Sequence, residues 1–293
     1  MQPALTLTWP AGRRRTGLAA ARSYLTLTKP GITLLVTITA ASGYVAAAGG
    51  VLAPLLLLHT VVATALAAAG AAALNQIREA ELDARMRRTA GRPLPSGALG
   101  RSQAVGLAVA LTVTGLTYAA VLLPWTTTLL LAVCHASYVL AYTPLKRRTP
   151  LCTLVGTIPG ALPVLAGWMA TGAPVRPTAL ALVGILVAWQ IPHFLAIGWL
   201  CREDYARAGF RILGTVDPTG RASGRVSLVY ALALLPTSLV PWLDGGAGPL
   251  YAAAALVLGG LYGWRALEFA RERSTRSARR LFLASLVYLP ALL

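Results

Sequence analysis

The 293-residue chain is 56% hydrophobic and only 12% charged, with a positive mean hydropathy. A soluble domain of this length carries roughly twice that charged fraction, so a soluble globular protein is excluded and a polytopic membrane protein is indicated. The net charge of +17 would suit a nucleic-acid partner by size alone, but its distribution along the chain assigns it to a membrane surface.

The first 22 residues hold Arg13, Arg14, Arg15 and Arg22, no acid and no signal-peptide core. Arg-rich, acid-poor leaders also mark transit peptides. A basic cytoplasmic tail over 1–23 is the simpler reading, followed by a single transmembrane domain over 24–293. Crossing a bilayer takes about 20 apolar residues. Such runs occur at 30–49, 54–75, 102–122, 125–143, 151–170, 178–200, 226–242, 249–267 and 279–293. They predict nine transmembrane helices in an all-α fold, with the seventh and ninth short. Pro159, Gly160, Pro163 and Gly167 punctuate the fifth run and Pro192 the sixth, breaks that membrane helices tolerate where neighbours or a cavity satisfy the backbone. Gly156-x-x-x-Gly160 permits close helix packing. Cys134, Cys152 and Cys201 show no pairing or metal spacing, so no disulfide framework is expected.

Alternating the runs from a cytoplasmic N-terminus puts 25 of the 26 Lys and Arg on one side, with only Arg176 opposite. Eight of the nine acids share that side, Asp244 being the exception. The positive-inside rule makes this side cytoplasmic. The connections there are long and charged while the opposite ones are short, so function is expected to face the cytoplasm.

The chemistry concentrates where the second run ends. If its helix continues past Leu74, then Asn75, Glu79 and Asp83 fall at about 0°, 40° and 80° around it, one stripe with a rise of roughly 12 Å. Glu81 points elsewhere. Carboxylate and amide oxygens with room for water and phosphate suit Mg²⁺. Arg78, Arg85, Arg87, Arg88 and Arg92 surround the stripe and would hold a polyanion. Together they point to a diphosphate site; a solvated, salt-bridged helix fits the charge pattern equally. At the close of the fourth run, Tyr142 and Lys146 stand one turn apart, a spacing that also serves an interfacial aromatic and a snorkelling cation. In Trp189-Gln-Ile-Pro-His-Phe, an ideal helix carried onward would place His193, Asp204 and Arg207 on one face. Glu203 and Arg207, at i,i+4, would pair with each other. His59 and His135 lie inside spans, without an assigned role.

Several of these stretches carry a family likeness. The order Asn-x-x-x-acid-x-x-x-Asp, Arg-x-Arg-Arg-Thr and Arg-Pro-Leu-Pro-Ser-Gly resembles the first signature of the UbiA superfamily of intramembrane prenyltransferases. Within it, the Arg-Pro-Leu-Pro-Ser-Gly tail resembles the protoheme IX farnesyltransferase (heme O synthase) branch. Tyr142-Thr-Pro-Leu-Lys146 resembles the family's Tyr-x-x-x-Lys element, and the block from Trp189 to Phe210 is similar to that branch. Leu27-Thr-Lys-Pro-Gly31 resembles the opening motif, with Gly31 where Arg is usual. Glu79 stands where Asp is commonest. The second Asp-x-x-x-Asp of the superfamily is reduced to Glu203-Asp204, because positions 200 and 208 are Leu and Ala.

The resemblance, running from about Lys29 to Arg225, implies a UbiA-type fold with nine helices around a central cavity. It further implies transfer of a farnesyl group from farnesyl diphosphate to a vinyl of protoheme IX (heme B), giving heme O. Asn75, Glu79, Asp83 and Asp204 would hold Mg²⁺. Lys146, Arg78, Arg88 and Arg92 would neutralise the leaving diphosphate; Lys29, Tyr142, His193, Glu203 and Arg207 would contact substrate. A cell-membrane location is expected, with the bilayer as partner, a heme A synthase downstream and no nucleic acid. An aromatic or quinone-precursor acceptor, or a membrane heme carrier, are the alternatives the residues leave open.

Overall fold

Long apolar runs satisfy their backbone inside a bilayer only as helices or closed barrels, and the described residues contain helices and no strand. The computed structural model describes residues 17–293; Arg13, Arg14 and Arg15 of the expected tail lie outside the described residues. A short helix α1 (Leu18–Leu27) precedes α2 (Pro30–Ala48), α3 (Pro54–Asp83) and α4 (Arg101–Leu122). Then α5 (Trp125–Ala136) passes through a π-helical turn, Ser137–Tyr142, into a last turn α6 (Thr143–Leu145). The next span is jointed at Gly156, with α7 (Cys152–Val155) before it and α8 (Thr157–Ala170) after it. A long α9 (Pro177–Leu200) leads into two short helices, α10 (Arg202–Arg207) and α11 (Leu213–Val216). The chain ends in α12 (Arg221–Leu243), α13 (Pro249–Glu272) and α14 (Thr275–Leu292). The tail boundary expected at 23/24 falls within α1.

Eight of the spans are long and apolar enough to cross a membrane. The ninth predicted one is present as α14, but Arg276, Arg279 and Arg280 occupy its first turns, so the count of nine is approximate. Prolines open α2, α3, α9 and α13, where the missing N–H costs no hydrogen bond.

Packing relies on small residues, as expected where apolar burial alone cannot hold helices together in lipid. The α2–α8 crossing is nearly backbone on backbone. A Cβ on Gly43 would stand 1.8 Å from the Val164 carbonyl oxygen, and one on Gly167 1.8 Å from that of Ala40. Gly70 and Gly115 seat α3 against α4 in the same way. The Gly156-x-x-x-Gly160 pair also serves packing: Gly156 abuts the Tyr142 ring and Gly160 the Gln190 amide. Outward-facing Leu34, Leu55, Val113 and Leu250 remain exposed, a surface suited to acyl chains.

Val216–Gly220, whose Asp-Pro-Thr-Gly composition favours a turn, forms one ahead of α12. Asp217 accepts from the Ser223 N–H at 2.9 Å and its hydroxyl at 3.2 Å, satisfying the start of α12. At the other end of the bundle, Asp244 accepts from the Thr178 N–H and hydroxyl, with Arg176 Nε at 3.6 Å.

Candidate active site

Helix α3 is 30 residues long, about 45 Å at 1.5 Å per residue, against a hydrocarbon thickness of about 30 Å. It therefore carries its last turns out of the apolar layer. Those turns hold the expected oxygen stripe, and all three members are buried: Asn75 at 0%, Glu79 at 5% and Asp83 at 1% exposure. Each faces its own cation. Lys29 Nζ donates to Asn75 Oδ1 at 2.5 Å, Lys146 Nζ to Glu79 Oε1 at 2.8 Å, and Arg92 Nη1 to Asp83 Oδ2 at 2.7 Å.

Local structure explains how these cations arrive. Gln76 donates to the Thr26 and Leu27 carbonyls at 2.9 Å each, fastening the end of α1 to α3. Lys29 follows with φ 50° and ψ 63°, a left-handed conformation unusual for a non-glycine residue. Such backbone strain persists only where the surroundings over-determine it. Here the fastened α1 on one side and the proline-led α2 on the other do so, turning the chain toward Asn75. Lys146 closes α6, and its carbonyl accepts from the Arg211 N–H at 2.7 Å. Burial disfavours the charge on Lys146, but the Glu79 carboxylate outweighs it and holds the pKa well above the ordinary lysine value. The ammonium also lies 4.5 Å from the Tyr142 ring centroid.

Glu79, Asp83, Lys29, Lys146, Arg88 and Arg92 line a cavity of about 450 Å³, with Tyr142, Tyr205, Phe194 and Phe282 among its apolar walls. Burial pushes the Tyr205 phenol above its ordinary value against the opposing charge of Arg88. The Arg88 guanidinium is 6.0 Å from the Tyr205 ring centroid. A second cavity, of about 230 Å³, lies further into the helices. Ile32, Tyr138, Tyr142 and Phe194 line both, so the two meet at an aromatic neck. Tyr138 and Tyr142 stack there with centroids 5.5 Å apart, presented by the π-helical turn. Single π turns commonly occur at functional positions.

Other expected site residues lie elsewhere. Asn75 does not line the cavity; its amide also donates to Thr143 Oγ1 at 3.0 Å, tying α3 to α6. Arg78 donates to the Val139 carbonyl at 2.7 Å and holds the π-helical turn. The shared face expected for His193, Asp204 and Arg207 does not form, because the chain leaves helical geometry at Cys201 and restarts as α10. His193 meets Ser285 Oγ at 2.6 Å and stacks on Trp189 at 5.0 Å. Asp204 accepts from the N–H groups of Arg87 and Arg88, both at 3.4 Å, clamping the loop after α3. Arg207 pairs with Asp204 rather than with the expected Glu203, which is exposed. Sequence reasoning missed Tyr138, Thr143 and Tyr205. Tyr138, one turn before Tyr142, offered the only spacing signal.

One carboxylate oxygen, Asp83 Oδ1, is buried without a hydrogen-bond partner. Among the described residues no three His, Cys, Asp or Glu side chains cluster as a complete metal cage. Two carboxylates beside an open cavity instead fit a hard divalent cation that takes few protein ligands and completes its shell from phosphate and water.

The profile of the UbiA prenyltransferase family matches residues 34–288. A protoheme IX farnesyltransferase of Koribacter versatilis is 40% identical, the match covering 98% of this chain and 96% of that one. That of Solibacter usitatus is 42% identical over 92% and 95% of the two chains. Among solved structures, a digeranylgeranylglyceryl phosphate synthase superposes with a TM-score of 0.77 at 15% identity, covering 94% and 96% of the chains. A UbiA homologue of Archaeoglobus fulgidus bound to GPP and Mg²⁺ gives 0.66 at 14% identity, over 92% and 97%. Profile, relatives and fold agree: the chain belongs to the UbiA prenyltransferase family.

Proposed function

We propose that this chain transfers a farnesyl group from farnesyl diphosphate to a vinyl group of protoheme IX, releasing diphosphate and forming heme O. The observation that carries the reading is the pair of buried carboxylates, Glu79 and Asp83, opposed across one cavity by Lys146 and Arg92. The relatives of Koribacter versatilis and Solibacter usitatus, matched over nearly their whole length, are protoheme IX farnesyltransferases and supply the acceptor and the isoprenyl group of this reading.

Glu79 and the unpartnered oxygen of Asp83 would hold Mg²⁺, the ion found with GPP in the Archaeoglobus fulgidus homologue. Mg²⁺ bound there would neutralise charge on the diphosphate oxygens. Both carboxylates are ion-paired before substrate binds, so binding exchanges partners. Lys146, Arg92, Arg88 and Lys29 turn to the phosphate oxygens, stabilising the anion that develops as the C1–O bond breaks. Asn75 and Asp204 act as positioning groups, for Lys29 and for the Arg87–Arg88 loop.

The electron pair of the broken bond leaves with diphosphate, and an allylic cation remains at the neck. Tyr138, Tyr142 and Phe194 surround it with aromatic faces, which favour a cation electrostatically, and keep bulk water away. The vinyl group of protoheme attacks with its terminal carbon. Water then adds to the carbon beside the macrocycle, losing a proton to give the hydroxyl. The isoprenyl chain extends through the neck into the inner cavity while the porphyrin occupies the larger outer one. The charged end faces the cytoplasm of a cell membrane, and a heme A synthase would consume the product.

Mass analysis of heme extracted from membranes containing the protein tests this directly. A hydroxyethylfarnesyl adduct of protoheme is expected; unmodified heme B alone, with both substrates supplied, would remove the proposal.

A further inference from the structure

The π-helical turn at Ser137–Tyr142 contains one carbonyl that its own backbone cannot serve. The Thr143 N–H reaches back to the Tyr138 carbonyl, the i→i+5 spacing of a π turn. The Thr143 hydroxyl joins it there at 2.8 Å. Carried one residue further, the same register pairs the Val139 carbonyl with residue 144. That residue is Pro144, which has no N–H. Val139 is only 6% exposed, and a buried carbonyl without a donor is costly. In a regular α-helix the proline would orphan the Leu140 carbonyl instead. Leu140 is 68% exposed on the outer surface of the bundle, where lipid offers no donor. The π register moves the gap by one residue, to where the neighbouring helix can fill it. Arg78 of α3 donates from Nη1 to the Val139 carbonyl at 2.7 Å.

Arg78 lines neither cavity and, among the described residues, pairs with no carboxylate. The register it completes nevertheless reaches the site. One extra residue in a turn rotates everything beyond it by about 100° relative to an unbroken helix. Tyr142 ends that turn, and Lys146, which donates to Glu79 at 2.8 Å, lies beyond it. A return to the regular register would carry both away from the cavity they line.

We propose that Arg78 is a positioning residue whose guanidinium supplies the donor that Pro144 withholds from the Val139 carbonyl, and so holds the register that aims Tyr142 and Lys146 into the site. The inference rests on the prenyl-transfer reading above for its rate measurements. Its test is a double-mutant cycle on purified protein with farnesyl diphosphate and protoheme IX, using Arg78→Met, Pro144→Ala and the double variant. Arg78→Met should lower kcat about tenfold, as misplaced site groups do, while KM for farnesyl diphosphate stays within about twofold. More of the donor should also end as farnesol, because a displaced neck lets water bond to the allylic carbon and release a proton. With Pro144→Ala, residue 144 regains an N–H and the turn has a backbone donor for each carbonyl in either register. Adding Arg78→Met to that variant should then cost less than about twofold. Thermal midpoints should follow the same pattern, falling by about 2 °C or more for Arg78→Met alone and by less in the Pro144→Ala background. An equal effect of Arg78→Met in both backgrounds overturns the proposal. So does a KM raised about fivefold or more at unchanged kcat, the mark of a direct contact with diphosphate. If Pro144→Ala does not fold, that KM–kcat split in Arg78→Met decides; if Arg78→Met does not fold, its recovery by Pro144→Ala, or the lack of it, decides. Failure of the underlying reading is distinct: wild type would then give no adduct, and the midpoints would still show whether Arg78 and Pro144 are coupled.

Discussion

Lys146 holds Glu79 at 2.8 Å in a site where the carboxylate is almost fully enclosed. Removing one partner of such a pair leaves an uncompensated buried charge, which costs about 3 kcal/mol or more. Lys146→Met should therefore lower the thermal midpoint in detergent as well as abolish transfer. The double variant Lys146→Met/Glu79→Gln should recover most of the stability and none of the activity. Equal midpoints for single and double variants would show that the pair is not coupled. With its pKa raised, the ammonium contributes stability that is complete below the unfolded lysine value and lost only as pH rises through the folded one. The contribution of this ammonium is thus expected to be constant across the neutral range. The stripe of Asn75, Glu79 and Asp83 was legible because helical periodicity continues unbroken past Leu74. The His193–Asp204 face was not, because Cys201, where α9 ends, is neither glycine nor proline, while Pro192, which looks like a breaker, sits inside α9. Contacts such as Thr143 to Asn75 join residues far apart in sequence and have no local signature.

At the scale of elements, α2 and α8 meet at backbone distance through Gly43 and Gly167. Gly167→Val should destabilise by about 2 kcal/mol or more, since overpacking forces backbone shifts. The readout is the thermal midpoint, with Gly31→Ala as control because a Cβ there meets nothing within 4 Å. The start of α12 carries a pH-sensitive contact. Partial burial raises the Asp217 pKa, but hydrogen bonds from Ser223 and Thr219 outweigh it and hold the carboxyl below its usual value. Stability from this carboxylate is present above the unfolded pKa of about 3.9 and lost as pH falls through the folded value. Asp217→Ala should cost about 1 kcal/mol, as lost capping groups do, and should flatten the acid limb of the stability profile; an unchanged acid limb would contradict this. The turn itself was readable from Asp-Pro-Thr-Gly. The π-helical turn at Ser137–Tyr142 was not, because it depends on how α5 fits its neighbours rather than on residue type.

For the whole molecule, the charge asymmetry of the sequence points to the same end of the bundle that carries the cavity lined by Glu79, Asp83, Lys146 and Arg92. The two charges assigned to the opposite end, Arg176 and Asp244, pair with each other at 3.6 Å, so the sorting is internally consistent. Single cysteines at positions 147 and 248, in a background lacking the native three, should react with impermeant reagents from opposite sides of sealed vesicles. Labelling from the same side would overturn the topology. The ninth span was less legible because its arginines share a helix with its apolar stretch.

The decisive measurement is diphosphate release and adduct formation from farnesyl diphosphate and protoheme IX by purified protein, with Mg²⁺ or with chelator, for wild type and Asp83→Asn. Two carboxylates gripping a metal-bound diphosphate predict Mg²⁺-dependent turnover in wild type and a loss of about a hundredfold or more in a well-folded Asp83→Asn, on the scale of a lost electrostatic contact at the reacting centre. Full turnover by Asp83→Asn, or wild-type turnover indifferent to chelation, would contradict it.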